Sequence, residues 1–337
     1  MRLRHFISIL SFALVMLLGY WLASTAVMQH EPRKSSAKVS DAPPLPSADE
    51  SGPRFRNGER GNRMGGDDDA ALAGAVEGQR VLVFKDKDAL LRFLERAGDR
   101  VKLLGRLDAL NALRVGFSNY DDLLALLDGE EQQSYIFPVY TPPLPDGKAQ
   151  SGAVALGNHL LEWLGISTDN SAWGKGVLIA ILDTGVTANS AFNTRITSIN
   201  LVPLPADPTK QNGHGTAVAS MIIGNDPLTP GVAPGASILS VRIADDNGVS
   251  NSFVLAEGII AAVDAGAKLI NISMGSQYDS LIVRNALAYA SEHGAMVVAA
   301  AGNNGVNQVS YPAANAGVIP AVAVDAYGNH LDFSNTG

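Results

Sequence analysis

Three short motifs carry side chains that can do chemistry, and they follow one another along the chain. Ile181-Leu182-Asp183-Thr184-Gly185 comes first, Asn212-Gly213-His214-Gly215-Thr216 second and Ala300-Ala301-Gly302-Asn303 third. Asp183 ends an apolar run and precedes a tight Thr-Gly turn. A carboxylate there can accept a hydrogen bond from an imidazole N–H and stabilise the imidazolium. His214 lies between two glycines, which let the backbone pack closely beside a reactive ring, at the start of the apolar stretch Thr216 to Ile223. An imidazole held there can serve as a general base. Asn303 follows the run from Met296 to Gly302, where a side-chain amide can donate to a developing oxyanion. Each motif alone has a plainer reading: a turn aspartate, a helix-capping histidine, an asparagine in an Asn303-Asn304-Gly305 turn. Paired-carboxylate chemistry at Asp-Thr-Gly needs a second carboxylate close by. The chain has no second Asp-Thr-Gly and no Asp-Ser-Gly.

Such residues need a rigid frame. From Gly174 onward, short apolar runs at 177–182, 238–243, 269–272, 296–300 and 318–324 alternate with helical stretches at 253–265 and 281–292. That alternation predicts an α/β fold with a mostly parallel, doubly wound sheet covered by helices on both faces. Asp183 then stands at the carboxyl end of a strand, where ligands of such sheets bind. Residues 76–148 have a different rhythm. Val81 to Phe84 reads as a strand, and Leu90, Phe93, Leu94 and Ala97 share one helical face. Strands follow from Val101 and through Leu113, Val115 and Phe117. Ser118 with Asp121 has the form of a capping box opening a helix, and Tyr135 to Tyr140 reads as a last strand pushed to an edge by Pro138. The order β-α-β-β-α-β predicts a small ferredoxin-like α+β domain. Thr141 to Lys148 is a breaker-rich linker, suited to cleavage.

Residues 29–75 are polar, with Pro43-Pro44, Gly65-Gly66 and Asp67-Asp68-Asp69, and read as a disordered linker. Residues 1–28 place Arg2, Arg4 and His5 ahead of an uncharged run from Phe6 to Met28, which is either a cleaved signal peptide or a retained membrane anchor. Either one exports the rest of the chain, to the extracellular space or periplasm. A net charge of −8 without any Lys/Arg run argues against nucleic-acid binding. With no cysteine, disulfides, thiolate catalysis and Cys-zinc sites are excluded.

The three motifs, in this order, resemble the subtilisin-like serine proteases, the subtilases. The resemblance implies a serine endopeptidase in which Asp183 and His214 are catalytic and Asn303 serves the oxyanion. It implies that Ser273, Met274 and Gly275 belong to a substrate-binding strand, that Asn247-Gly248-Val249 supply the opposite edge, and that Ala301 and Gly302 wall the specificity pocket. The small apolar walls imply a preference for apolar side chains there. Residues 76–148 resemble a subtilase propeptide, which would act as an intramolecular inhibitor, although a βαββαβ module with another role fits the same pattern. Residues 149–337 would be the N-terminal part of the peptidase domain. One departure is Ala217, where many relatives carry a second His. Relatives often hold calcium after the histidine helix, but Gly224 to Pro230 has one carboxylate, so no metal site and no cofactor is expected there. Asp245-Asp246 reads as a solvated loop pair. The expected partners are polypeptide substrates and the chain's own propeptide, with membrane contact only through the N-terminal segment.

The family nucleophile follows the histidine by about 157 residues, which falls near position ~371. The chain ends at Phe333-Ser334-Asn335-Thr336-Gly337, the segment that precedes the serine in the family, so Ser334 is not the nucleophile. The reading is an exported zymogen represented by a fragment. The alternative is an inactive truncated homologue that binds peptides or propeptide without cutting them.

Overall fold

The computed structural model describes residues 74–141, 159–192, 195–227 and 229–337. The expected signal or anchor, nearly all of the polar linker, and residues 142–148 of the breaker-rich linker lie outside the described residues. The first unit runs β1 (Gln79–Phe84), α1 (Lys87–Ala97), β2 (Lys102–Leu107), β3 (Ala112–Gly116), α2 (Tyr120–Leu124) and β4 (Glu131–Ser134). Its antiparallel sheet has the order β2-β3-β1-β4. Asp86 caps α1 by accepting from the Ala89 N–H at 2.8 Å. At α2 the cap is Asn119, whose side chain accepts from the Asp121 N–H, and not the expected Ser118.

Strand alternation gives this sheet two different faces. Leu82, Phe84, Leu113 and Val115 pack with Leu90, Phe93 and Leu123 into the unit's own core. Val81 and Ala112 point the other way, into the core of the second unit. The seam is close: a Cβ on Gly105 would stand 2.6 Å from the Phe253 ring.

The second unit continues with β5 (Pro138–Tyr140), α3 (Leu160–Trp163), β6 (Leu178–Asp183), β7 (Ile196–Asn200), α4 (His214–Ile223), β8 (Asn225–Asp226), β9 (Thr229–Pro230) and β10 (Ser237–Arg242). It ends with β11 (Val249–Asn251), α5 (Ser252–Asp264), β12 (Leu269–Ile272), α6 (Leu281–Glu292), β13 (Met296–Ala300) and β14 (Val318–Ala321). The expected parallel sheet forms, in the order β14-β13-β12-β6-β10-β7. Along β6, Ile179 and Ile181 pack toward α4, while Ala180 and Leu182 pack toward α5 and α6. A strand buried on both faces reads as a continuous apolar run, which is why β6 was legible.

The expected last strand, Tyr135 to Tyr140, is not the one that closes the first sheet, and only its residues 138–140 are strand. Glu131–Ser134 closes the first sheet, and Pro138–Tyr140 pairs antiparallel with β11 of the second unit. The polar sequence Glu-Gln-Gln-Ser hides an edge strand from any apolar pattern. Val139 is drawn away because its side chain is buried in the second unit's core. Among the described residues no helix is long and apolar enough to cross a membrane.

Candidate active site

Asp183 is the last residue of β6, flanked by β10 and β12, so its carboxylate sits centrally at the carboxyl edge of the sheet. It is fully buried. Its Oδ1 accepts from the Thr184 backbone N–H at 2.7 Å, and the Thr184 hydroxyl lies 3.1 Å away. His214 is the first residue of α4, and its Nδ1 stands 2.9 Å from both Asp183 oxygens. Burial of the ring pulls the imidazole pKa down, but the charge and hydrogen bond of Asp183 outweigh it, and the net shift is upward. Of the two flanking glycines only one is needed for close packing. A Cβ at Gly215 would fall 2.4 Å from the Gly185 carbonyl oxygen, whereas one at Gly213 would meet nothing within 4 Å.

Asn303 lies in the loop leaving β13, at the same edge of the sheet, and is half-buried. Gly302 before it has φ 109°, and a Cβ there would collide with Ser310 and Asn335. Asn335 is a residue that motif reading missed. Almost fully buried, it accepts from the Asn304 N–H at 2.8 Å, and its own N–H donates to the Gly302 carbonyl at 2.9 Å, bracing the loop. Its signal was invisible because the contact joins segments about 30 residues apart.

The two expected substrate edges face each other across a strand of the chain itself. Tyr140 exchanges both backbone hydrogen bonds with Gly275, each 2.9 Å, and β5 pairs with β11 on its other side. Thr141 N–H donates to the Gly248 carbonyl at 2.9 Å. Ser252 and Phe137 anchor the entry, the Phe137 N–H donating to Ser252 Oγ and the Ser252 N–H to the Phe137 carbonyl. Ser273 accepts from the Asn271 amide at 3.0 Å. The Met274 side chain is buried in the core, so only its backbone can belong to the edge. Ala301 and Gly302, which follow β13, are both buried.

Asp246 is on a loop and partly exposed, as the sequence suggests, but it is also engaged by the protein. It forms an ion pair at 2.9 Å with Arg242, whose side chain is 1% exposed, and it accepts from the Asn212 N–H at 2.9 Å. A lone arginine inside an apolar run, with an acid four positions on, was the available signal. Among the described residues no group of three or more His, Asp or Glu side chains is placed to hold a metal ion.

Comparison with known proteins bears on this geometry. The profile of the subtilase family matches residues 174–337. The chain is 32% identical over 283 residues to the thermophilic serine proteinase of Bacillus sp. (strain AK1), covering 78% of this chain and 68% of that protein. It is 37% identical over 171 residues to thermitase of Thermoactinomyces vulgaris, covering 49% of this chain and only 61% of the relative. Among solved structures, fervidolysin from Fervidobacterium pennivorans, a keratinolytic enzyme related to subtilisin, superposes with a TM-score of 0.61 at 26% identity, over 77% of this chain and 45% of that one.

Proposed function

The chain belongs to the subtilase family, and on that premise we propose a serine endopeptidase acting on polypeptides by an Asp-His-Ser mechanism. The observation that carries the reading is the imidazole of His214 seated 2.9 Å from both oxygens of a fully buried carboxylate. With Nδ1–H donated to Asp183, Nε2 is the ring position that takes the serine proton and later returns it to the leaving amine. Asp183 holds that tautomer and stabilises the imidazolium, in a site where burial leaves the attraction little screened. Asn303 would donate to the oxyanion, a contribution of about 10²–10³ in kcat in subtilisin itself. The reaction calls on no cofactor, since acid, base and nucleophile are side chains. No serine in a Gly-Thr-Ser setting occurs among these 337 residues.

The unit at 76–148 would be the propeptide, and what supports this is the strand 138–140 lying between Gly275 and β11, where an extended substrate would pair by β-augmentation. Export follows from the basic residues and apolar run at the N-terminus. The test is to express the coding sequence read past Gly337 and to treat the product with a fluorophosphonate probe and with casein. Labelling and hydrolysis, both lost in His214→Ala, are expected, while the 337-residue product alone should do neither. A product that binds peptide but never labels would establish the inactive homologue instead.

A further inference from the structure

Hydrogen-bonded to the segments that carry Asp183 and His214 is a second charged group, Arg242 with Asp246, that the proposed chemistry does not use. Asp246 accepts the Asn212 N–H at 2.9 Å through Oδ1 and grips Arg242 with both oxygens, at 2.9 Å for Nη2 and 3.3 Å for Nη1. Arg242 also donates from Nη1 to the Thr184 carbonyl and from Nε to the Pro203 carbonyl at 3.2 Å. Asn212 completes the group. Its Nδ2 donates to the Asp246 carbonyl at 3.2 Å, and its Oδ1 accepts from the His214 backbone N–H at 2.9 Å. The path therefore closes on itself, from Asp183 through Thr184, Arg242, Asp246 and Asn212 to His214 and back to Asp183.

Resting on the protease reading above, we propose that Asp246 is a positioning residue for the proton transfer, locking the turn that carries His214 against the loop that carries Asp183. Helix α4 starts with no side-chain cap from Gly213, so Asn212 supplies the acceptor for its first N–H, and Asp246 fixes Asn212. A bidentate arginine–carboxylate pair has a defined geometry that a single hydrogen bond lacks. Asp246 also stands two residues before Gly248, whose carbonyl receives Thr141, so one carboxylate ties the catalytic pair to the edge of the cleft. The Asn212 N–H, and then Arg242, hold the Asp246 carboxyl below its ordinary range, as expected of a group that works as an anion.

The charged groups bearing on His214 are Asp183 directly and Asp246 with Arg242 through Asn212. The measurement is the titration of His214 by NMR in the 337-residue chain labelled with 15N-histidine, the resonance assigned by His214→Gln among six histidines. In Asp246→Ala the imidazole should titrate lower than in the wild type, because the ring is no longer held on Asp183. Asp246→Asn keeps an acceptor for the Asn212 N–H and should restore most of the wild-type titration, a rescue that a general loss of stability would not produce. If Asp246→Ala does not fold, Asn212→Ala severs the same path without stranding Arg242 and should lower the titration likewise. A folded Asp246→Ala or Asn212→Ala protein whose His214 titrates as in the wild type overturns the proposal. In any form of the chain that carries a nucleophilic serine, Asp246→Ala should lower kcat by about 10²-fold, the scale of an ångström's misplacement. The titration needs no nucleophile, so its failure removes the positioning role and leaves the protease reading standing. Absent fluorophosphonate labelling removes the protease reading and with it the proton transfer, leaving only Asp246 holding His214 on Asp183.

Discussion

Arg80 and Arg242 are both withdrawn completely from water, one in the N-terminal sheet and the other in the parallel sheet. Arg80 lies over three aromatic rings, with its guanidinium carbon 4.4 Å from the Tyr135 centroid, 5.0 Å from Tyr120 and 5.4 Å from Phe117, and its Nη1 donates to the Gln79 carbonyl at 2.8 Å. Arg242 is held by a carboxylate and two backbone carbonyls at fixed angles. Ring faces attract a cation with little directional demand, so they stabilise a fold without defining a position finely. Hydrogen bonds in a bidentate fork define position, and here they join the turn after Asp183 to the turn before His214. Two residues of one type, equally buried, are thus held chiefly by ring faces in one unit and by a carboxylate in the other.

Substitutions that separate geometry from stability put that contrast at risk. The largest effect should come from Asp183→Asn in any form of the chain that carries a nucleophilic serine, a fall of about 10⁴ in kcat, the value known for the corresponding change in a serine-protease triad. The same variant should move the rising limb of the pH–rate profile downward. Asp183 raises the His214 pKa, the base must be neutral to act, and without the carboxylate only the lowering effect of burial remains. A limb that stays in place would show that Asp183 does not govern the base.

Next in size is Asp246→Ala, which strands a buried guanidinium and should lose roughly 3–5 kcal/mol in chemical denaturation, whereas Arg242→Met should lose less because Asp246 can still reach water. Equal losses would contradict the asymmetry. Arg80→Ala should lose about 2 kcal/mol by the same measurement while leaving the His214 titration untouched. A shifted titration there would erase the distinction between the two arginines. The smallest effect belongs to Glu130, an exposed carboxyl pushed down to about 2 by hydrogen bonds from Lys85 and then Arg92. Its contribution is present above the ordinary carboxylate range and lost as pH falls toward 2, and solvent screening keeps it small. Glu130→Gln should leave the denaturation midpoint at neutral pH unmoved.

Much of this was legible before any coordinates. The runs containing Asp183 and Val297 are buried on both faces, and the face of α1 repeats with the helical period, so local pattern and final burial coincide. The pairing of Asp183 with His214 was legible for a related reason: one residue ends a strand and the other begins a helix, and both endings are written in adjacent residues. The strand at 131–134 was not, because its four residues are polar and its partner β1 lies some fifty positions away.

Local sequence determined which residues stand at element ends and which side chains alternate into each core, because those depend on neighbours within a turn or a pleat. Tertiary structure decided that β5 pairs in the cleft and not in the first sheet, that Asn335 braces the Asn303 loop, and that Asp246 engages Asn212 and Arg242. These three outcomes join segments about 30 or more positions apart, apart from the 242–246 pair itself. Their free energy comes from desolvation and hydrogen-bond geometry that exist only once the sheet has assembled.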